Sequence, residues 1–414
     1  MTTLSVVIPA YNEEDGIEHV INRVLATQDA LSNLGIALEF IVVDDGSRDK
    51  TAMHISEYPQ VRLIRHIQNR GYGAAIKTGF RHATGELLAF LDADATYPPE
   101  NLPDLCRAAL QEHGDMVVAS RMSGAKSEMP LTRRVGNLAF ATLLSLIGNT
   151  RVRDTSSGMR VIRRECLAAL YPLPDGLEFT PAMSTRAIHE NLKVIEVPVP
   201  YSERVGRSKL SVVRDGLRFT NAIVWTALTY NPVRILGLLS LAFVTLAGLI
   251  ALYTVALRLS GVTTLDAGQL FLVFGAVLAS ITGVSLFSLG AMFNYLIALF
   301  YKKPIRQGLF GKPLFKQPLE NHFGWIGVTS GILGSLIGLG SFALSLQGWA
   351  IERLWLYFLT AALFVIIGIQ LTVSWVVMRV LKELSHRESL MQHDLVESEP
   401  ANVTTGTVLE SQVS

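Results

Sequence analysis

The chain has 414 residues, a formal net charge of +1 at pH 7 and 50% hydrophobic residues. The near-neutral charge excludes binding to nucleic acid through bulk positive charge, and the apolar content excludes a disordered protein. The apolar residues are concentrated beyond about residue 230, whereas the part before it mixes charges with short apolar segments. We therefore expect an N-terminal α/β domain at 1–207 and a membrane domain after it.

Short apolar segments alternate with helical patterns in the N-terminal part. The strand-like segments are LSVVIPAY, LEFIVVDDGS, VRLIRH, ELLAFLDADA and DMVVASR. Strands that are apolar throughout are buried on both faces, as in a mostly parallel sheet that helices cover on both sides. Rossmann-like sheets of this kind bind ligands at the carboxyl ends of their strands, so functional residues are expected directly after each strand.

The fourth strand-like segment ends in Asp92 and Asp94. Residues two apart in an extended chain point the same way, so these carboxylates project together. They repel each other unless a cation lies between them. Mg²⁺ and Mn²⁺ suit such a pair, because these ions take one or two carboxylates plus phosphate oxygens of a substrate. We predict a metal-bound diphosphate here. For this pair, a solvated turn closed by Pro98 and Pro99 is the alternative. For the segment VVDDGSRDKT after the second strand, taken alone, the alternative is helix capping and turn chemistry.

Six segments, in this order, resemble glycosyltransferase family 2: VVIPAYNEE, VVDDGSRDKT, NRGYGAAIKTG, LDADATYPPE, DTSSGMRVIRRE and ERVGRSK. The later ones resemble its dolichol-phosphate mannosyltransferase and polyprenyl-phosphate glycosyltransferase branch. The resemblance covers about the first 230 residues. It implies an A-type glycosyltransferase fold, a nucleotide-diphosphate-sugar donor, a divalent metal and inversion at the anomeric carbon.

The resemblance also implies roles for single residues. The donor nucleotide would be held by Pro9, Tyr11, Glu13 and either Asp44 or Asp45. Further substrate contacts would come from Gly71, Lys77, Ser208 and Lys209. Asp92 and Asp94 would hold the metal, and Arg204 would neutralise the leaving diphosphate. Two positions depart from the family pattern: Thr96 replaces a frequent Gln, and Ala182 replaces a frequent acidic residue, so a base is missing there.

The missing base favours a phosphate acceptor. An attacking sugar hydroxyl needs a general base, whereas a phosphate monoester has a second pKa near 6 and is already a dianion at neutral pH. Arg121 and the pair Arg133–Arg134 are expected to hold this phosphate through bidentate contacts. The following segment VGNLAFATLLSLIGN is too short to span a membrane, and we expect it, like a second amphipathic helix at 208–231, in the membrane surface. Ordinary core helices are the alternative.

Four apolar runs predict a four-helix membrane domain at 232–384, with spans at about 232–257, 268–300, 325–347 and 354–381. Each run reaches the roughly 20 residues that cross a bilayer. Basic residues follow the second and fourth runs, which places those segments in the cytoplasm. An even number of spans then places the catalytic domain and both termini there, in a multi-pass plasma-membrane protein; the start lacks a signal-peptide pattern.

Residues 385–414 are expected to be a disordered tail. The small residues of GVTSGILGSLIGLGS favour close helix packing or a homo-oligomer.

The predicted function is transfer of a hexose from a UDP- or GDP-sugar to a polyprenyl phosphate, either undecaprenyl or dolichyl phosphate. The lipid bilayer is an expected partner, and nucleic acid is not. One alternative is a glycosyltransferase that acts on a glycolipid or polysaccharide hydroxyl. A processive synthase would carry a Gln-x-x-Arg-Trp motif, and no tryptophan in this sequence follows an arginine. A non-catalytic protein that binds nucleotide sugars or carries lipid is the alternative from another class.

Overall fold

The computed structural model describes residues 2–122, 129, 131–148, 152–201, 212–262, 265–301 and 319–396. The chain forms two compact units, Met1–Tyr230 and Asn231–Ser414. The first unit therefore extends beyond residue 207 and includes the helix expected at 208–231.

A seven-stranded sheet forms the centre of the first unit. Its strands are β1 Thr2–Ala10, β2 Ile36–Asp44, β3 Arg62–Arg65, β4 Leu87–Leu91, β5 Met116–Ser120, β6 Met159–Arg163 and β7 Val194–Pro198. They are arranged in the order β3-β2-β1-β4-β6-β5-β7. Only β6 is antiparallel to its neighbours, β4 and β5. The predicted mostly parallel sheet is confirmed; β6 and β7 are additional to the strands that the sequence predicts.

Nine helices in the described part of this unit surround the sheet: α1 Ile17–Leu25, α2 Gln28–Ser32, α3 Thr51–Ser56, α4 Tyr72–His82, α5 Leu102–Gln111, α6 Leu131–Gly148, α7 Leu167–Leu170, α8 Phe179–His189 and α9 Val212–Leu228. Alternate side chains of β1 enter two separate cores, with Val6 and Ile8 on one face of the sheet and Val7 on the other. Burial on both faces explains the continuous apolar runs in the sequence.

The parallel pairing aligns the strand ends that matter for function. Ala10 of β1 pairs with Asp44 of β2, and Phe90 of β4 pairs with Val7. The loops after β1 and β2 are also joined, since the Asn12 N–H donates to Ser47 Oγ (2.9 Å) and the Glu13 N–H donates to Thr51 Oγ1 (2.9 Å). The polar residues that follow β1, β2 and β4 therefore meet at one edge of the sheet.

The second unit contains four long helices, α10 Pro232–Leu259, α11 Ala267–Tyr301, α12 Phe323–Leu346 and α13 Ile351–Val396. Each holds a stretch long and apolar enough to cross a membrane, which agrees with the predicted fold class. Helix α13 continues past residue 384, so residues 385–396 of the expected tail are helical. The physical reason is that this polar segment includes several good helix formers, namely Arg387, Glu388, Leu390, Met391, Gln392 and Leu395, and contains no Gly or Pro. Residues 397–414 lie outside the described part.

Small residues bring α12 and α13 into close contact. A Cβ on Gly368 would lie 2.6 Å from the Gly331 backbone nitrogen, closer than real Cβ atoms approach. The Ser330 hydroxyl donates across the same contact to the Phe364 carbonyl (2.8 Å). Packing within the chain therefore explains at least part of the small-residue pattern, without requiring a second copy.

Gly368→Ala is expected to lower the melting temperature of the detergent-solubilised protein, because the new methyl group must displace backbone rather than a flexible side chain. The expected cost is about 1–3 kcal/mol. Gly340→Ala is the matched control, since its added Cβ meets no atom within 4 Å and alanine gains about 1 kcal/mol in helix propensity. Equal melting temperatures for the two variants would contradict the close packing of α12 on α13.

Candidate active site

Asp92 follows a fully buried strand and is held by several groups. Its backbone N–H donates to the Gly158 carbonyl (3.1 Å), which continues the pairing of β4 with β6. Its Oδ1 accepts a hydrogen bond from the Tyr72 hydroxyl (2.7 Å). Burial and the neighbouring Asp92 carboxylate raise the pKa of Tyr72 well above its ordinary value, so the phenol remains protonated and can donate. The orientation of Asp92 is thus fixed by the fold.

Gly158 makes room for that carboxylate. A Cβ at this position would lie 1.9 Å from Asp92 Oδ2, so any larger residue would collide with the side chain. The Gly158 N–H donates to the Tyr97 hydroxyl (2.8 Å). The preceding loop is held by the fully buried Arg160, whose Nη2 donates to the Thr155 carbonyl (2.8 Å). Burial lowers the pKa of Arg160 to about 10, which leaves it charged at neutral pH.

Asp94 is positioned by its own turn. Ala95 adopts a positive φ of 61°, which brings Thr96 back towards Asp94. The Thr96 hydroxyl (2.6 Å) and N–H (3.2 Å) both donate to Asp94 Oδ1. Thr96 therefore acts here through hydrogen bonds to Asp94.

A cavity of about 440 Å³ lies at the ends of β1, β2 and β4, and we call it the strand-end cavity. Seven of the residues that the sequence assigns to a donor and metal site line it, namely Pro9, Tyr11, Glu13, Asp45, Gly71, Asp92 and Asp94. Tyr72, Leu177 and Arg218 also line it, and the sequence reading had given none of them a role. The carboxyl ends of the strands thus form one pocket, as doubly wound sheets generally do.

The structure distinguishes Asp45 from Asp44. Asp45 lines the strand-end cavity and accepts hydrogen bonds from the backbone N–H groups of Arg70 (2.9 Å) and Gly71 (2.8 Å). Asp44 is completely buried and accepts from the Ser47 N–H (2.9 Å) and from Arg65 Nε (3.2 Å). Asp45 therefore faces the pocket and shapes the Arg70–Gly71 loop, whereas Asp44 organises the turn after β2.

A second cavity of about 230 Å³, the helix-side cavity, lies between the sheet edge and helices α6 and α9. Its apolar lining includes Met129, Phe140, Leu177, Tyr201 and Phe219. Hydroxyl and amide groups also reach it, from Thr132, Asn137, Ser156 and Thr180. Asp92, Asp94 and Tyr72 line both cavities, so the two pockets meet at the paired carboxylates.

Arg121 lines the helix-side cavity, but its fork is already bound. Its Nε and Nη2 donate to the two carboxylate oxygens of Asp154, each at 2.7 Å. The guanidinium also lies over the rings of Tyr97 (5.7 Å) and Tyr201 (5.6 Å). The bidentate contact that the sequence assigned to an acceptor phosphate is thus made to Asp154, and Arg121 builds the wall of the cavity.

Lys77 lies in a different place from the one that the sequence suggested. It lines a separate cavity of about 550 Å³ on the other side of the Arg70–Gly71 loop, together with Arg81, Tyr171 and Asp175. Its Nζ donates to the Leu173 carbonyl (2.7 Å) and pairs with Asp175 Oδ1 (2.5 Å). Lys77 therefore holds the segment before Gly176 and Leu177, which line the strand-end cavity, rather than reaching that cavity itself.

The remaining predicted site residues are only partly described. Arg204, Ser208 and Lys209 lie outside the described residues, as does the side chain of Arg133. Arg134 is exposed on the first turn of α6. In the described part of the chain, no group of three or more His, Cys, Asp or Glu is arranged to hold a metal ion.

Sequence comparison identifies two matching families. Residues 5–170 match the family described as glycosyl transferase family 2, and residues 232–392 match a family described as a domain of unknown function (DUF8752). The chain is also similar to proteins named undecaprenyl-phosphate 4-deoxy-4-formamido-L-arabinose transferase. The one from Pectobacterium carotovorum subsp. carotovorum is 33% identical over 302 residues, which cover 71% of this chain and 88% of that protein. The one from Sodalis glossinidius is 30% identical over 299 residues, with the same coverage of 71% and 88%.

Structural comparison gives a more distant similarity. The crystal structure of glucosyl-3-phosphoglycerate synthase from Mycobacterium tuberculosis, in complex with Mn²⁺, UDP and glucosyl-3-phosphoglycerate, is 24% identical in sequence with a TM-score of 0.44. The match covers 55% of this chain and 80% of that chain.

Arg121→Met is expected to destabilise the first unit by about 3–5 kcal/mol, because it leaves the buried Asp154 carboxylate without its cation. The double variant Arg121→Met/Asp154→Leu should lose less, since no buried carboxylate is then left without its cation. Arg107→Met is the control, because its exposed pair with Asp104 is worth at most about 1 kcal/mol. Thermal unfolding of the three variants measures this, and an Arg121→Met variant at least as stable as the double variant would contradict it.

The same pair has a defined pH dependence. Burial raises the pKa of Asp154, but the Arg121 guanidinium outweighs this and holds the pKa below its usual range. A carboxyl with a lowered folded pKa stabilises the fold above its unfolded pKa, about 3.9, and this contribution is lost as the pH falls through the folded pKa. The free energy of unfolding of the wild type, relative to that of the double variant, should therefore be constant near neutral pH and decrease only below about pH 4.

Proposed function

We propose that this chain, which belongs to glycosyltransferase family 2 and to its polyprenyl-phosphate branch, transfers a hexose from a UDP- or GDP-sugar to a polyprenyl phosphate. One observation carries the proposal: two cavities of different character meet at Asp92 and Asp94. A transferase needs this arrangement, because the donor and the acceptor must approach one reacting carbon from opposite sides.

The strand-end cavity is the proposed donor site. Its position at the carboxyl ends of parallel strands is where such sheets bind nucleotides. Pro9, Tyr11, Glu13 and Asp45 are the proposed contacts of the base and ribose. Gly71 lines the cavity; its φ of 105° and the Asp175 carbonyl oxygen, which a Cβ would meet at 2.5 Å, leave no room for a side chain at this position. The sugar diphosphate then extends towards Asp92 and Asp94.

The two aspartates fit a divalent cation. They are oxygen ligands at the meeting point of the cavities, and Mg²⁺ or Mn²⁺ at phosphate-transfer sites is held by one or two carboxylates plus substrate oxygens. The hydrogen bonds from Tyr72 and Thr96 occupy one oxygen of each carboxylate and fix the rotation of both side chains. When bound, the ion supplies positive charge for the leaving diphosphate.

The helix-side cavity is the proposed site of the acceptor phosphate and the start of its lipid chain. Its hydroxyl and amide groups can donate to phosphate oxygens, while Met129, Phe140 and Phe219 offer apolar contact. The outer faces of α6 and α9 expose large apolar side chains, such as Leu131 (75% exposed) and Trp225 (63% exposed). Exposed apolar surface of this kind marks a membrane contact, and we assign these faces to the bilayer, with Arg133 and Arg134 at headgroup depth.

The reaction is a single displacement. A phosphate oxygen of the acceptor attacks the anomeric carbon, the bond from that carbon to the nucleoside diphosphate breaks, and the configuration inverts. No proton must be removed, because the acceptor is already a dianion at neutral pH. This is consistent with Ala182, which is buried in α8 and carries no base. Arg204 is the proposed second charge on the leaving group.

The active site is proposed to face the cytoplasm, where nucleotide sugars are made. The basic loop after the second span supports this orientation, with Lys302, Lys303, Arg306, Lys312 and Lys316. Labelling of single introduced cysteines from each side of the membrane measures this orientation.

The purified protein should release nucleoside diphosphate from a sugar nucleotide only when both polyprenyl phosphate and a divalent metal are present. Asp94→Asn should lower this rate by at least about 100-fold, because it weakens charge stabilisation worth several kcal/mol. Asp104→Asn on the surface of α5 is the matched control and should keep wild-type activity. Activity of Asp94→Asn close to wild type would reject the metal site.

The donor panel must include UDP-glucose, GDP-mannose and the UDP and GDP derivatives of 4-deoxy-4-formamido-L-arabinose, the sugar in the name of the relatives. Mass spectrometry of the lipid product then identifies the sugar and the bond. A hexose joined to polyprenyl phosphate supports the proposal. A product formed only with the arabinose derivative would show that the transferred sugar is not a hexose. A sugar joined to a lipid hydroxyl would show that the acceptor is not a phosphate. Donor binding with no product would favour a non-catalytic protein.

A further inference from the structure

The charges that line the strand-end cavity are unbalanced for a diphosphate ligand. Four carboxylates line it, those of Glu13, Asp45, Asp92 and Asp94. Among the described residues that line the same cavity, Arg218 is the only one with a positive charge. A diphosphate brings further negative charge into this pocket, and a divalent cation offsets only part of it. Arg218 is therefore the described side chain best placed to add attraction.

Arg218 comes from α9, far along the chain from the strand ends. Its partner is Asp215, one turn earlier in the helix, with Arg218 Nη1 3.6 Å from Asp215 Oδ1. Asp215 is largely buried and lines the helix-side cavity, whereas the side chain of Arg218 is 57% exposed. The α9 helix thus presents one member of a charge pair to each cavity.

This pair is loose, in contrast to the pair of Arg121 and Asp154. A separation of 3.6 Å is too long for a hydrogen bond, while Arg121 makes two bonds of 2.7 Å to Asp154. An exposed ion pair within one helix contributes at most about 1 kcal/mol, so a ligand with stronger charge can take Arg218 from Asp215. Arginine also matches the geometry of phosphate oxygens, which it can bind through two N–H groups.

We propose that Arg218 binds the diphosphate of the donor, and that Asp215 is its partner while the donor is absent. The inference rests on the proposed function, because it takes the strand-end cavity as the donor site. Donor binding would exchange the Arg218–Asp215 pair for an Arg218–diphosphate contact. Since Asp215 lines the helix-side cavity, the same exchange would alter the charge facing the acceptor when the donor is in place.

The test uses the full-length protein in detergent and measures binding of UDP and of GDP with Mn²⁺ by titration calorimetry. Arg218→Gln should weaken the tighter of the two by about 10- to 100-fold, the range expected for a hydrogen bond to a charged group. Arg218→Lys should recover part of the affinity. Asp215→Asn should tighten binding by about 2- to 5-fold, because it removes the competitor for Arg218.

Arg214→Gln is the matched control, since Arg214 is exposed one turn earlier on the same helix and is not among the residues that line either cavity. It should bind like the wild type. Wild-type affinity in Arg218→Gln, or equal losses in Arg214→Gln and Arg218→Gln, would overturn the inference and leave the proposed function intact. A wild-type protein that binds neither UDP nor GDP would overturn both.

Discussion

The placement of two carboxylates at the end of a buried strand governs the rest of this molecule. Asp92 cannot turn away from the pocket, because Gly158 lies against one of its oxygens and Tyr72 donates to the other. Asp94 is held in the same way by Thr96. Negative charge that is fixed at one point, and that cannot be relieved by rotation, favours a cation and a phosphate-bearing ligand at that point. Both cavities are lined by these two carboxylates, so a donor and an acceptor bound in them would meet at this point.

Two arginines near this point show that the same type of side chain can either stabilise the fold or remain available to a ligand. Arg121 is enclosed by Tyr97, Tyr201 and Asp154, and its Nε and Nη2 are both bound to the Asp154 carboxylate. Moving it would leave a buried carboxylate unpaired, so it belongs to the scaffold. Arg218 is held by one loose contact at the rim and can change partners at small cost. Geometry and burial, rather than residue type, decide which of the two is available to a substrate.

Much of the fold and part of the site followed from the sequence. Continuous apolar strands, each followed by polar residues, predicted the parallel sheet and the gathering of Glu13, Asp45 and Asp92 at its edge, because strand direction alone determines where those ends lie. The partners of Lys77 and Arg121 could not be predicted in the same way. Lys77 pairs with Asp175 and Arg121 with Asp154, and neither pairing can be read from spacing, because the partners are distant in sequence. The sequence does not predict a role for Arg218, because nothing in the segment VVRDGLRF distinguishes it from Arg214. Gly158 lies in the motif DTSSG, but the need for glycine there comes from Asp92, the residue that follows β4, whose carboxylate leaves no room for a Cβ.

The most direct test is a structure of the full chain with Mg²⁺ and a donor analogue that cannot transfer its sugar. We expect one metal ion at about 2.1 Å from oxygens of Asp92 and Asp94, with the diphosphate on its strand-end side and the anomeric carbon facing Phe140 and Phe219. A diphosphate bound away from these carboxylates, or an anomeric carbon that faces away from the helix-side cavity, would refute the proposed roles of the two cavities.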